Sequence, residues 1–205
     1  MQLPHELIRE IIHYLPTYSW LSFSYVCRDI NNIKYDRELM LHKTRSVIMT
    51  LSTEELHNCF EGSRGTLFNV DFNQSFAVTD ETFSYLEGTV HSLNMDYVNQ
   101  REITDKAFRY LKGIQELSMY GCSQETITDQ AFSNLRGSIT KLDISRCYQL
   151  TEQAYSYLQG TIQELSILDM YDRLDRSIFP YLQGTIRVLD ISYCTNVQDE
   201  DFQHL

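Results

Sequence analysis

Basic side chains are scarce in this chain: 17 Lys and Arg stand against 28 Asp and Glu over 205 residues, a formal charge of −11. Nucleic acid and anionic membrane surfaces are bound by basic faces that neutralise phosphate, so neither is expected as a partner. No run of about 18 apolar residues is present to span a bilayer, and the N-terminus lacks the basic-then-apolar order of a secretory signal. The chain is therefore expected to work inside a cell, in the cytoplasm or nucleus. Its 5 cysteines, an odd number without tight metal-type spacing, suit a reducing compartment better than a disulfide scaffold. His5, His13, His42, His57, His91 and His204 show no zinc-ligand spacing. A phosphate-cradling glycine loop and a paired-carboxylate motif are both missing, so no catalytic residue, metal or cofactor is assigned and an enzyme is not expected. What the chain does have is 42% apolar residues, enough to bury a core.

That apolar content is periodic. Gly65, Gly88, Gly113, Gly137, Gly160 and Gly184 recur at steps of about 24 residues, and each opens a similar phrase. In GSITKLDISRCYQLTEQAYSYLQ, Ile139, Leu142 and Ile144 are apolar while Asp143 and Ser145 are polar, the alternation of a half-buried strand. The period then changes: Thr151, Glu152, Ala154, Tyr155 and Leu158 place a hydroxyl cap, an acid in the first turn, then apolar residues at helical spacing. The same order occurs from Thr79, Thr104 and Thr128. Neither a short strand nor a short helix can bury its apolar face alone, so stacking of units is forced. A partial first unit is expected from Val47-Ile48-Met49, as a strand, and residues 52–56, as the start of a helix. Two departures stand out. Pro180 interrupts one outer segment, which is expected to be distorted or 3₁₀-like. Asp201 fills the small apolar slot held elsewhere by Ala107, Ala131 and Ala154, and a polar final helix would suit a cap.

The phrase Ile139, Leu142, Ile144, Cys147 resembles the cysteine-containing leucine-rich repeat. The resemblance implies an α/β fold: a curved solenoid over residues 46–205, about six repeats with a partial first one, a parallel concave sheet and helices on the convex side. Cys122, Cys147 and Cys194 share one slot and are expected to pack inward as small apolar residues, not to react. In such a solenoid the residues flanking the inward Leu and Ile face out from the concave sheet. One column reads Asp71, Asn94, Ser118, Asp143, Ser166, Asp190; the next Asn73, Asp96, Tyr120, Ser145, Leu168, Ser192; the third Gln74, Tyr97, Gly121, Arg146, Asp169, Tyr193. The candidate target-binding residues are Asp71, Asn94, Asp96, Tyr97, Tyr120, Asp143, Arg146, Asp169, Asp190 and Tyr193, a set rich in acids and in the tyrosines favoured at binding hot spots. They suit a basic or hydroxyl-rich protein segment. Gly121 is expected to leave a hollow among the tyrosines that a side chain could enter.

The N-terminal segment has a different character. On a helical wheel Leu3, Leu7, Ile8, Ile11, Ile12, Tyr14 and Leu15 cover about half the circumference, wider than the roughly 100° stripe of a helix with one contact. Pro4 suits the first turn, Glu6 complements the helix N-terminus and Pro16 ends the helix. LPHELIREIIHYLPTYSWLSFSYVCRDINNI resembles the F-box motif through Leu3, Pro4, Glu6, Leu7, Ile8, Ile11, Ile12, Tyr14, Leu15, Val26, Cys27 and Arg28; Trp20 and Ile30 replace its usual leucine and tryptophan. The resemblance implies a small helical domain over 1–45 that inserts into a Skp-type adaptor and through it reaches a cullin. Leu3, Pro4, Ile8, Ile11, Ile12, Leu15, Trp20 and Val26 would be its apolar anchors, with Glu6 and Arg28 as polar orienting groups. The whole would be the substrate-recognition subunit of an SCF-type cullin-RING ubiquitin ligase, itself non-catalytic. Two other readings are open. One is a free-standing leucine-rich-repeat binding or inhibitor protein with a helical cap. The other is a pathogen effector, active in host cytoplasm, that borrows the host ligase; the small size and the motif's place at the chain start fit that reading.

Overall fold

The computed structural model describes Thr53, Glu54, His57 and residues 69–205. The helical domain expected over 1–45 and the strand expected at Val47-Ile48-Met49 lie outside the described residues, whereas Thr53, Glu54 and His57 are helical, in and just beyond the segment expected to open a helix.

The alternating phrases form six strands: β1 Asn69–Asp71, β2 Ser92–Asn94, β3 Glu116–Ser118, β4 Lys141–Asp143, β5 Glu164–Ser166 and β6 Val188–Asp190. They pair in chain order, all parallel, and the register puts Val70, Leu93, Leu117, Leu142, Leu165 and Leu189 in one row. The row is buried from Val70 to Leu165. Backbone pairing runs on past the strands, as in Met95 N–H to Ser118 O at 2.8 Å and Gly121 N–H to Ser145 O at 2.9 Å. A three-residue strand has little stability of its own. Burying each Leu or Phe against neighbouring repeats contributes roughly 2 kcal/mol, and the repeat supplies several.

The outer segments differ from the expected helices. Within residues 69–205, only α1 (Asp80–Phe83) and α2 (Glu152–Ser156) are α-helical; Ala107–Leu111, Asp129–Leu135, Arg176–Leu182 and Asp199–His204 are 3₁₀. The tightening expected at Pro180 alone is therefore the rule of the outer face. The spacing of its apolar pair allows the tighter turn. Phe108 and Leu111, Phe132 and Leu135, and Phe179 and Leu182 are three apart and all fully buried or nearly so. In a 3₁₀ turn residues i and i+3 eclipse, so both point at the sheet. The aromatic members stack from repeat to repeat: Phe83 to Phe108 at 6.5 Å and Phe108 to Phe132 at 6.0 Å between centroids.

The recurring glycines follow from a turn. Lys112 (φ −59°, ψ 121°) precedes Gly113 (φ 95°), and Arg136 (φ −55°, ψ 129°) precedes Gly137 (φ 79°). These are type II turns, which require positive φ at their third residue.

The threonine caps do what the sequence implies, and the acids beside them do more. Thr128 and Thr151 accept from the N–H groups of Gln130 and Gln153. Thr104 donates through its N–H and hydroxyl to both oxygens of Asp80 in the preceding repeat, each at 2.7 Å. Thr128 does the same to Asp105, and Thr151 to Asp129, at 2.7 to 2.8 Å. The first-turn acid is thus a bolt between repeats as well as a complement to its own helix. The ladder changes at the last unit. Arg176 takes the acid's place, and its Nε lies 2.8 Å from Oδ2 of Asp201. Asp201, 8% exposed in a slot built for alanine, is held there by that guanidinium and by the Gln198 N–H at 2.9 Å.

Candidate functional site

The concave side of β2 to β6 carries a groove of about 310 Å³. One wall row is the expected column, with Asn94, Ser118, Asp143 and Ser166; the other is Ser92, Glu116, Lys141, Glu164 and Val188, two residues earlier on each strand. Strand register aligns Asp71, Asn94, Ser118, Asp143, Ser166 and Asp190 as expected. Much of that column's hydrogen-bonding capacity is spent locally. Oδ1 of Asp71, Asn94 and Asp143 accepts the N–H two residues on, from Asn73, Asp96 and Ser145, at 2.9 Å each. Asp190 accepts from Ser192 through N–H and hydroxyl. These Asx turns bend the chain out of each strand. The two Ser192 bonds hold the Asp190 carboxyl below its usual range, whereas burial pushes the Asp143 carboxyl up against its Ser145 bonds. The groove's cation is taken, with Lys141 Nζ 3.1 Å from Glu164.

The second column does not simply face outward. Ser145 is fully buried, its Oγ accepting the Leu168 N–H at 2.8 Å. Asp96 turns back to accept from the Ser118 hydroxyl at 2.5 Å and the Tyr120 N–H at 2.9 Å. A side chain leaving the strand is here closer to the next unit's turn than to solvent. The third column is a row of left-handed residues: Gln74, Tyr97, Arg146, Asp169 and Tyr193 have φ between 56° and 62°, and Gly121 has 71°. The hollow expected at Gly121 is filled. A Cβ there would stand 2.8 Å from Cδ1 and 2.9 Å from Cε1 of Tyr97, whose ring lies over the glycine.

Four of the expected target-binding residues converge on this exit rim. Tyr97 and Tyr120 meet edge to face at 5.2 Å between centroids. The Tyr120 hydroxyl donates to Asp169 Oδ2 at 3.2 Å, and Arg146 reaches the same oxygen through Nη2 at 2.7 Å and Nε at 2.9 Å. The Arg146 guanidinium also lies over the Tyr120 ring at 5.4 Å. Desolvation first, then bonding to Tyr97 and Asp169, raises the Tyr120 phenol to about 12. Asp71, Asn94, Asp143 and Asp190 lie on the concave row instead, and Tyr193 stands at the far end of the rim.

Cys122, Cys147 and Cys194 are free thiols, the first two buried. Each S–H donates to a carbonyl of the preceding repeat: Met95 at 2.8 Å, Met119 at 3.1 Å and Ile167 at 3.0 Å. Burial raises the Cys122 thiol to about 12 and the Cys147 thiol well up. They are packing groups with a weak bond, as their shared slot implied. Among the described residues there is no His, Cys, Asp and Glu grouping that could hold a metal ion, and no helix long and apolar enough to cross a membrane. The adaptor-side candidates, from Leu3 to Arg28, lie outside the described residues.

The F-box domain matches residues 1–40, and the BspA type leucine-rich repeat region matches in six copies over 44–163 and 77–204. The chain is an F-box/leucine-rich-repeat protein. Among solved structures, a chain of the yeast Rad7 and Elc1 complex is 19% identical with a TM-score of 0.58, over 74% of this chain and 42% of that one. A chain of the TLR13–ssRNA13 complex is 18% identical with a TM-score of 0.49, over 70% of this chain and 24% of that one. This F-box/leucine-rich-repeat protein thus spans less than half the length of either of those chains. The Rad7–Elc1 likeness bears on the fold. No curated protein sequence matches the chain. Both parts of an F-box/leucine-rich-repeat protein are typically interaction modules, and F-box domains generally bind Skp-type adaptors.

Sequence reasoning missed the row of Ser92, Glu116, Glu164 and Val188, which lines half of the groove. Extending the strand alternation one step toward each N-terminus would have found it. It also missed Tyr148 and Tyr171 on the rim; they directly follow the cysteine slot.

Proposed function

We propose that the protein is the target-recognition subunit of a cullin-RING ubiquitin ligase, working in the cytoplasm or nucleus. The observation that carries this is the order of parts, an F-box over 1–40 leading directly into leucine-rich repeats. In this reading Leu3, Pro4, Ile8, Ile11, Ile12, Leu15, Trp20 and Val26 insert into a Skp-type adaptor, with Glu6 and Arg28 orienting the contact, and the adaptor bridges to a cullin. The sheet's concave side and exit rim hold the target. The protein makes no bond itself: it raises the effective concentration of a target lysine beside a ubiquitin-loaded enzyme. The rim geometry supports a recognition role, since tyrosines with apolar bodies and polar tips are the side chains that dominate binding energy.

Co-expression with a Skp-type adaptor tests the reading. A stable complex is expected, and Leu3→Ala with Pro4→Ala should abolish it while the far-UV circular dichroism of the repeats persists. A chain that purifies alone and ignores the adaptor would be a free-standing leucine-rich-repeat binding protein. Loss of the whole fold in the double variant would make the segment a cap.

A further inference from the structure

The exit rim exposes an unusual number of aromatic rings. Phe76 is 85% exposed, Tyr193 71%, Tyr171 51%, Tyr97 46% and Tyr148 41%. The four tyrosines follow the C-terminal ends of β2, β4, β5 and β6. Tyr171 and Tyr193 are neighbours, joined by the Tyr171 N–H to Tyr193 O bond at 3.0 Å, and Tyr148 reaches the Asp169 carbonyl at 3.4 Å.

The protein itself shows what such rings take. Arg146 lies over Tyr120 while paired to Asp169, and Arg173 lies over Tyr148 at 5.1 Å. In the first case one guanidinium meets an aromatic face and a carboxylate together, so this rim already accommodates a cation by both kinds of contact. Tyr97, Tyr171 and Tyr193 keep large exposed surfaces; Asp143 and Asp190 end β4 and β6 on the concave row, and Asp172 follows Tyr171 on the rim. Lys141 and Arg146 are already engaged by Glu164 and Asp169. Apart from Arg173, which lies over Tyr148, the rim surface left for a partner is aromatic and anionic.

We propose that this rim is a docking ledge for an extended, arginine- or lysine-rich segment of the target, which crosses the strands with its cations on the exposed tyrosines and toward Asp143 and Asp190. The inference rests on the target-receptor reading and adds the chemical class of the target segment. Parallel strands are about 4.8 Å apart, so the Tyr97 and Tyr193 turns, four strands apart, are separated by roughly 19 Å. About six extended residues span that distance.

The test is a fluorescence-polarisation titration of the full chain with a labelled nine-residue peptide alternating Arg and Ser, and with the same peptide carrying citrulline for arginine. Citrulline keeps the shape and removes the charge. The arginine peptide should bind at least tenfold tighter. Tyr97→Ala with Tyr193→Ala should weaken it about tenfold, the loss of two cation–π contacts. Asp143→Asn with Asp190→Asn keeps the turn acceptors and should weaken it as well. Glu87→Gln with Glu200→Gln, removing two exposed charges on the outer segments, should leave it unchanged.

Equal affinity for both peptides, binding of neither, or an equal loss in the outer-charge variant would overturn the inference. The receptor reading fails separately. A chain that holds the adaptor but ignores both peptides keeps that reading and loses the basic target. A chain that binds the arginine peptide but no adaptor does the reverse.

Discussion

Gly121→Ala separates two reasons for a glycine. The position has φ 71°, and five other residues at the same point of the repeat hold φ between 56° and 62° without being glycine. A left-handed residue with a side chain costs about 1 kcal/mol, which this fold accepts elsewhere. What differs at Gly121 is the Tyr97 ring, 2.8 Å from the position of the new Cβ. The ring is 46% exposed and can swing outward, but it then gives up its edge-to-face contact with Tyr120. Such a contact is worth about 1 kcal/mol. The expected loss for Gly121→Ala is therefore about 2 kcal/mol, half backbone and half displaced ring. In a Tyr97→Ala background the ring term has already been removed, so the same change should cost only about 1 kcal/mol. Urea unfolding of the four proteins, with midpoints compared at constant slope, gives the coupling directly. A coupling of about 1 kcal/mol is expected, above the few tenths that additivity leaves unresolved. Equal losses in both backgrounds would refute the account, because the ring would then not be what excludes a side chain.

Asp129→Ala should remove two bonds to Thr151 and destabilise by about 2 kcal/mol, with Asp129→Asn intermediate, read by the same urea assay. Arg176→Ala strands the buried Asp201 carboxylate and should lower the urea midpoint. Arg176→Ala with Asp201→Ala should recover most of that loss, since alanine fills the slot in three other repeats. Site-resolved alkylation at pH 8 should leave Cys122 and Cys147 unmodified in the native chain and label both in denaturant, because burial holds their thiols protonated. Asp143 and Asp190 should respond to pH in opposite directions. The folded Asp143 carboxyl is raised, so its ionised form opposes folding above that pKa. Asp143→Asn should be stabilising at pH 7, and the gain should vanish near pH 3. Asp190 is lowered, so its contribution is complete above the usual carboxylate range and is lost as pH falls through the folded value. Asp190→Asn should therefore destabilise at pH 7 and cost less near pH 3. Thermal melts at the two pH values check both signs.

The strands, their order and the buried leucine row could be read directly, because a half-buried strand writes its period into three or five residues. The return segments could not be read as closely. Their Phe and Leu are three apart, which a helix and a 3₁₀ turn both satisfy, and only stacking on the sheet selects the tighter turn. The acids of the threonine caps were visible as local helix signals, but their second bond reaches a residue about 24 positions on, and local patterns do not carry it. The columns of the face were legible in register and less so in direction. Ser145 belongs to an outward column by count, yet Leu168 of the next repeat offers an N–H that draws its hydroxyl inward. Gly121 likewise looked open because counting residues says nothing of where a neighbouring Tyr97 rests.

This distribution of polar contacts limits how the face can be dissected. Asp71, Asn94 and Asp143 each give an oxygen to the turn that ends their strand, and Asp190 gives one twice. Replacing any of them by alanine removes a structural acceptor together with whatever charge a partner would meet. A weakened complex after Asp143→Ala would then report a loosened strand exit as readily as a lost contact. Asparagine keeps the acceptor and removes only the charge, so with the melts compared it separates recognition from the strand exit better than alanine does. Tyr193 carries no such burden. Its ring is mostly exposed, and its backbone conformation is one that a smaller residue adopts with no greater strain. Loss of binding in Tyr193→Ala with an unchanged melt therefore speaks for the ring itself, and binding that survives in that variant would move the contact toward the Tyr97 end of the rim.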